Sequence, residues 1–270
     1  MPPARPLITL LTDFGTKDHF VASMKGVILS INPQARIIDI THEIFPFRIA
    51  EAAACLRACY RTFPEGTVHV AVVDPGFGSS RRPILVTTSR YFFVAPDNGV
   101  LTPVLAEEQD VEIRHLENRQ YQLESPGATF HGRDLFAPAA AWLTKGQPSS
   151  LFGGLIDDPV RLPVESPAWC EHTLIGQVTG IDRFGNLLTD ITARHLDDVR
   201  AVAQGGTLTI RIAGSRIDGL VSSYSEGRPD HPSALINSNG YLEVFMKEAS
   251  AAVILGIGLG GRIEVEGPAS

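Results

Sequence analysis

Cysteine is scarce, with three in 270 residues, too few for a disulfide framework. Cys55 and Cys59 stand four apart within residues 50–60, which reads as one face of a helix. A metal pair is conceivable, but no second Cys/His pair completes a zinc set, and structural burial is favoured. Basic runs are also missing. No Lys/Arg run exceeds two residues and the net charge is −7, which disfavours a nucleic-acid-binding surface. No uninterrupted apolar run reaches the roughly 18 residues of a membrane span. The opening stretch, Met1-Pro2-Pro3-Ala4-Arg5-Pro6, lacks the apolar core of a secretory leader. A cytoplasmic location is expected. Neither an internal repeat nor a low-complexity segment is visible.

What remains is the composition of a globular protein, 44% hydrophobic and 20% charged. Its length allows one large domain or two ordinary ones. Residues 7–11 form a strand-like apolar run, and Phe20, Met24, Val27, Ile28 and Ile31 follow at helical spacing until Asn32-Pro33 stops them. A strand at 36–40, a helix at 49–63 and a strand at 67–73 continue the alternation, which argues for a parallel sheet with helices on its faces. Strands are expected at 83–88 and 91–95, and a helix at about 134–143. After Pro163-Val164-Glu165-Ser166-Pro167 the pattern becomes short alternating runs with little helical periodicity, as at 174–181, 206–212, 241–245 and 262–265. Such spacing predicts a small antiparallel barrel or sandwich. The expected domains are 1–165 and 166–270.

The stretch Val72-Val73-Asp74-Pro75-Gly76-Phe77-Gly78-Ser79-Ser80-Arg81-Arg82 ends a buried apolar run in an acid, a proline and two glycines. Loops leaving the carboxyl ends of such strands carry the chemistry of open α/β sheets. A capped turn with solvated arginines is the alternative. Asp13 closes the first strand as Asp74 closes the third, so both project toward one sheet edge. Asp13 there suits a sugar diol, or else caps the helix that follows. His131 lies beside a glycine just before the last helix of the first half, where Asp134 looks like a helix-start signal and Arg133 has a carboxylate within reach. Asp182-Arg183-Phe184-Gly185-Asn186 reads either as a site or as a hairpin turn with Phe184 in the core, and in Asn237-Ser238-Asn239-Gly240 the Asn-Gly pair favours the turn. The glycine-rich run at 256–261 precedes a strand rather than a helix, so it reads as a turn and not a dinucleotide loop.

Taken together, the chain resembles the S-adenosyl-L-methionine hydroxide adenosyltransferases, relatives of the fluorinase and chlorinase enzymes. The matching stretches are Leu11-Thr12-Asp13-Phe14-Gly15, the loop 74–82, Pro96-Asp97-Asn98-Gly99, Phe130-His131-Gly132-Arg133-Asp134, Asp182-Arg183-Phe184-Gly185-Asn186 and Asn237-Ser238-Asn239-Gly240. They span nearly the whole chain in the family's order.

The resemblance implies an N-terminal, mostly parallel α/β/α sandwich domain and a smaller C-terminal antiparallel β-barrel domain. It implies a homotrimer with active sites at subunit interfaces. The implied reaction is attack of water or hydroxide on the ribose C5′ of S-adenosylmethionine, releasing methionine and giving adenosine. It needs no cofactor or metal. The family's Asp-Arg-His set maps onto Asp74, Arg81 and His131, with Arg82 the adjacent alternative to Arg81. By position, Asp13 holds the ribose hydroxyls, Phe47 packs beside the ribose, Phe130 contributes to substrate binding and Tyr224 stacks on adenine. Asn186 reads an adenine edge, and Asp182 and Ser238 hold the methionine ammonium and carboxylate. The fluorinase-type pattern has an Arg after that Ser, where this chain has Asn239.

A halogenating relative, a non-catalytic nucleoside-binding module and a metal-dependent hydrolase are the competing readings. The Asp74 carboxylate argues against the first, because it repels a halide.

Overall fold

A computed structural model describes residues 6–76, 78–124, 127, 129–163, 166–202 and 206–267. The chain forms two compact units, Met1–Pro163 and Val164–Ser270. Residues 164 and 165, where the sequence pattern changes, lie outside the described residues, as does Phe77 of the loop 74–82. Among the described residues no helix is long and apolar enough to cross a membrane.

The first unit runs β1 (Leu7–Thr12), α1 (Phe20–Ile31), β2 (Arg36–Thr41), α2 (Ile49–Cys59), β3 (Val68–Val72), β4 (Pro83–Thr87), β5 (Phe92–Pro96), α3 (Thr102–Glu107), β6 (Glu112–His115) and α4 (Ala137–Thr144). Its sheet has the order β2-β1-β3-β5-β4-β6. β1 is parallel to β2 and β3, and β3 to β5, while β4 runs antiparallel to β5 and β6. Every residue of β3 is buried, as a central strand covered on both faces requires. Alternate side chains feed two cores. Leu10, Val70 and Val72 pack with Met24, Ile28 and Phe136 on one side, and Leu11, Ala71 and Val73 with Ala52, Leu56 and Val104 on the other. The mostly parallel α/β/α sandwich follows. α3 and β6 carry too few residues to show a period and were not expected.

The helix expected over 134–143 starts earlier and differently. Residues Gly132–Phe136 form a π-turn that passes into α4. Pro138 has no N–H to return to the Asp134 carbonyl, and the Leu123 N–H takes that carbonyl at 2.8 Å. A Cβ on Gly132 would come within 3.0 Å of Phe130, 3.1 Å of Phe14 and 3.2 Å of Met24. A side chain at 132 would press on those three side chains. Asp134 is therefore not a helix cap. It sits inside the turn, paired with Arg133 Nε at 2.5 Å and Nη2 at 3.0 Å. His131 stands at the head of the turn rather than outside the helix.

The second unit contains β7 (Ala168–Cys170), β8 (Thr173–Ile181), β9 (Leu187–Thr192), α5 (Ala193–Val202), β10 (Thr209–Ile212), β11 (Ser215–Asp218), β12 (Ser233–Ile236), β13 (Tyr241–Phe245), α6 (Ala251–Leu255) and β14 (Arg262–Glu266). The strand order is β11-β10-β14-β8-β9-β13-β12, with β7 also on β8. Every pair is antiparallel. The long β8 gives its first half to β14 and its second to β9, which bends the sheet into a nearly closed barrel. Leu174, Leu187, Ile210, Leu242, Val244, Ile263 and Val265 fill it.

Two helices correct the expectation of little helix here. α5 buries only Leu196 and Val199 and leaves Arg194, Asp197 and Asp198 in water, so its apolar stripe is too thin to read. α6 is a single short turn of helix whose Ser250 side chain accepts from Val253 N–H. Phe184 is not a core residue. It is 77% exposed.

Candidate active site

In the first unit the sheet topology carries Asp13 and Asp74 to the carboxyl ends of the neighbouring parallel strands β1 and β3. Asp74 is gripped from the side by Arg81, whose Nε donates to Oδ1 at 2.7 Å and whose Nη2 donates to Oδ2. The loop holds this geometry through Ser79, whose N–H and hydroxyl both donate to the Gly76 carbonyl at 3.0 and 2.6 Å. The two side chains are almost wholly buried, 8% exposed for Arg81 and 7% for Asp74. Such a pair persists because each charge satisfies the other; removing one partner of a buried pair costs about 3–5 kcal/mol. The guanidinium also lies over the Phe136 ring, 5.5 Å from its centroid.

The same Arg81 Nη2 approaches His131 Nδ1 at 3.0 Å. A guanidinium has no acceptor, so Nδ1 is the accepting nitrogen and the ring hydrogen is assigned to Nε2. Burial, and next the Arg81 charge, hold the His131 imidazole below its usual range, against the opposing carboxylates of Asp74 and Asp134. His131 is thus kept neutral with its Nε2–H as a donor.

Asp13 does not cap α1, whose leading residue His19 makes no side-chain cap. It accepts instead from the Phe47 N–H at 3.0 Å. Burial raises the Asp13 pKa above the usual carboxylate value, and the Asp74 charge adds to the rise, while the Phe47 N–H opposes it. Phe47 itself is 69% exposed and sits at φ 69°, a left-handed conformation costly for a bulky residue. Phe130 leads into the π-turn and packs edge-on against Phe14 and Phe20, with centroids 5.9 and 5.2 Å away. This aromatic cluster was not anticipated.

Arg82 is turned elsewhere. Its Nη2 meets Asp97 Oδ2 at 2.7 Å and its Nη1 meets Asp158 Oδ1 at 2.7 Å. Asp97 in turn accepts from Val160 N–H at 2.8 Å. Its neighbour Asn98 donates to the Val73 carbonyl at 2.8 Å, at the foot of the Asp74 loop. The Pro96-Asp97-Asn98-Gly99 stretch therefore braces the loop from behind.

The second unit holds a cavity of about 790 Å³, the size of a pocket for a small organic ligand. Asp182, Phe184, Asn186, Tyr224 and Phe245 line it, together with the strap of residues 246–250. Asp182 makes the hairpin turn and the cavity wall at once. Its Oδ1 accepts from the N–H groups of Phe184 and Asn186, both at 2.9 Å, and its Oδ2 accepts from Asn186 Nδ2 at 3.0 Å. Tyr224 packs edge-on to Phe245 at 5.0 Å and donates to Glu243 Oε1 at 2.7 Å. Burial, then Glu243, push its phenol up to about 12. Ser238 is exposed in the β12–β13 turn and is not part of the cavity lining. The strap and Glu243 were missed by sequence reasoning. The one available signal was an acid inside the apolar strand run at 241–245.

Among the described residues no group of three His, Cys, Asp or Glu is placed to hold a metal ion. Cys55 and Cys59 are half-buried on α2, with the Cys59 thiol donating to the Cys55 carbonyl at 3.3 Å. Burial pushes Cys59 up to about 12, which disfavours the thiolate that a metal would require.

A mostly parallel α/β unit with an Asp-Arg-His cluster at its strand ends is thus followed by a barrel-like unit with a ligand-sized cavity. Residues 8–153 match the family model for the SAM hydroxide adenosyltransferase N-terminal domain, and residues 176–264 the model for its C-terminal domain. The chain belongs to the SAM hydroxide adenosyltransferase family.

It is 36% identical over 256 residues to an (R)-S-adenosyl-L-methionine hydrolase of Methanocaldococcus jannaschii, covering 90% of each chain. It is 33% identical over 267 residues to a protein of the same name from Salinispora tropica, covering 96% of this chain and 97% of the relative. A fluorinase of Nocardia brasiliensis is 29% identical over 297 residues, with 97% of both chains covered. Among solved structures, an uncharacterized conserved protein from Thermotoga maritima superposes with a TM-score of 0.88 at 36% identity, covering 96% of this chain and 99% of that one.

Proposed function

We propose that this enzyme hydrolyses S-adenosyl-L-methionine by attack of water or hydroxide on the ribose C5′. The C5′–O bond forms as the C5′–S bond breaks, and the bonding pair moves onto sulfur. Neutral methionine leaves and adenosine remains. A sulfonium is a good leaving group, so catalysis needs mainly an oriented, partly dehydrated nucleophile in line with C5′.

The observation that carries this reading is the Asp74–Arg81–His131 cluster, with the Asp74 and Arg81 side chains buried against each other. Asp74 is the proton acceptor, directed by its two-point contact with Arg81. The Arg81 charge favours hydroxide over water at the same spot. His131, accepting from Arg81 through Nδ1, donates through Nε2–H to orient the nucleophile's oxygen. Asp13 accepts from the ribose hydroxyls. Asp182, Asn186 and Tyr224 in the cavity take the polar and stacking contacts of the adenosyl and methionine groups. The homotrimer implied by the family resemblance is part of the same proposal, and light scattering in solution tests it.

A halide nucleophile fits less well, because Asp13 and Asp74 place two carboxylates on one sheet edge. The deciding experiment incubates pure protein with S-adenosylmethionine in ¹⁸O-labelled water, with and without fluoride or chloride. Label in the 5′-hydroxyl of adenosine is the expected product. A 5′-halogenated nucleoside, or unconsumed substrate bound without turnover, overturns the reading.

A further inference from the structure

β13 carries an acid on the face that looks away from the barrel core. Leu242 and Val244 enter that core, while Glu243 and the cavity-wall residue Phe245 lie on the opposite side of the strand. Glu243 is 3% exposed. Burying a carboxylate is costly unless its oxygens are satisfied. Both are satisfied, and by neutral partners. Oε1 accepts from the Tyr224 hydroxyl at 2.7 Å and Oε2 from Asn237 Nδ2 at 3.2 Å.

Asn237 is itself held in one orientation by a second contact. Asn237 Oδ1 accepts from the N–H groups of Asn239 and Tyr241 at 3.0 and 3.1 Å. Its amide therefore cannot flip without breaking the turn, and Nδ2 is obliged to face Glu243. Tyr224 rests its ring edge-on against Phe245 but is 50% exposed. Without the bond at its hydroxyl, little else fixes the ring angle.

We propose that Glu243 is a positioning residue that anchors the Tyr224 ring of the cavity wall to the 237–240 turn behind it, so that the wall meets the ligand preorganised. The proposal rests on the reading that this cavity receives S-adenosylmethionine. Glu243 touches no reacting atom. Its effect belongs to binding, because an ordered wall lowers the ordering cost of association.

Three variants test it. Glu243→Leu removes both acceptors at similar volume and is expected to raise KM about tenfold with kcat changed less than about twofold. Glu243→Gln can still bridge, accepting from Asn237 and donating to a Tyr224 hydroxyl that turns to accept. It is expected to restore KM to within about threefold of wild type, which a role through charge would not allow. Tyr224→Phe cuts the same tie from a partly exposed position and keeps the fold. Its effect on KM should vanish in the Glu243→Leu background, as a shared interaction requires.

In the ligand-free protein, Tyr224→Phe should shift the side-chain amide NMR signal of Asn237. An unmoved Asn237 signal, an unchanged KM in Glu243→Leu, or additive effects of the two variants overturns the lock. A wild type that neither binds nor consumes S-adenosylmethionine, yet shows the coupled NMR shift, overturns the proposed function instead.

Discussion

Arg81 and Arg82 are neighbours in the chain yet close on different acids: Arg81 on Asp74 and Arg82 on Asp97. Successive side chains of an extended segment point to opposite sides, so one arginine turns into the cluster with His131 and the other out to Asp158.

The two arginines should fail in different ways. Arg81→Lys keeps the charge but loses the fork that holds Asp74 at two points, and kcat should fall by about 10²–10⁴-fold. Arg82→Lys should leave kcat within a few-fold while lowering the melting temperature. Steady-state kinetics and calorimetry on both variants separate these outcomes, and equal losses of kcat would sink the assignment.

Asp13 predicts a substrate preference. If it accepts from the ribose diol, wild type should bind adenosine about tenfold or more tightly than 2′-deoxyadenosine. Asp13→Asn should narrow that ratio. Titration calorimetry reads both. A ratio that Asp13→Asn leaves unaltered removes the ribose role.

pH dependence follows from two imidazoles. His131 is held below its usual range by burial and Arg81, so its neutral, donating form persists to a lower pH than that of a free histidine. kcat should begin to fall only at a pH below that at which a free histidine charges. His69, 1% exposed and bonded to Thr9 Oγ1 at 2.8 Å, is pushed by burial to about 3. The unfolded chain then binds a proton that the folded chain refuses. The stabilisation is complete above about 6.5 and is lost progressively as pH falls toward about 3, by a few kcal/mol in all. Denaturant melts of wild type and His69→Phe across that window should diverge in slope.

Gly185 sits at φ +83° with a prospective Cβ 2.0 Å from Ser250 Oγ and 2.9 Å from its Cα. Gly185→Ala must strain the backbone and push the strap away from Asp182, costing several kcal/mol. Lower stability with intact ligand affinity would show that the strap is not part of the binding wall.

Much of the first unit was legible because its central strands are buried on both faces and α1 repeats apolar residues at helical spacing. The wholly buried β3 and the Met24–Ile28 face of α1 are examples. α5 was hidden because Arg194, Asp197, Asp198 and Arg200 dominate its short run around Leu196 and Val199. Asp74 and Asp13 could be placed by chain order, since parallel neighbours end on one edge. The choice between Arg81 and Arg82 could not, because it depends on the direction of a single residue in a loop. Phe184 misled for a physical reason: its ring lines a cavity open to water rather than a core. The tie between Tyr224 and Glu243 spans 19 positions, and no local pattern reports a hydrogen bond of that reach.

The π-turn has a consequence beyond its own hydrogen bonds. A helix advances about 100° per residue, so the widened turn sets the compass bearing of His131 relative to α4. Pro138, which denies the Asp134 carbonyl its usual donor, is thus a remote aiming device for the imidazole. A residue with an N–H at position 138 would compete with Leu123 for the Asp134 carbonyl, within the same turn that His131 heads.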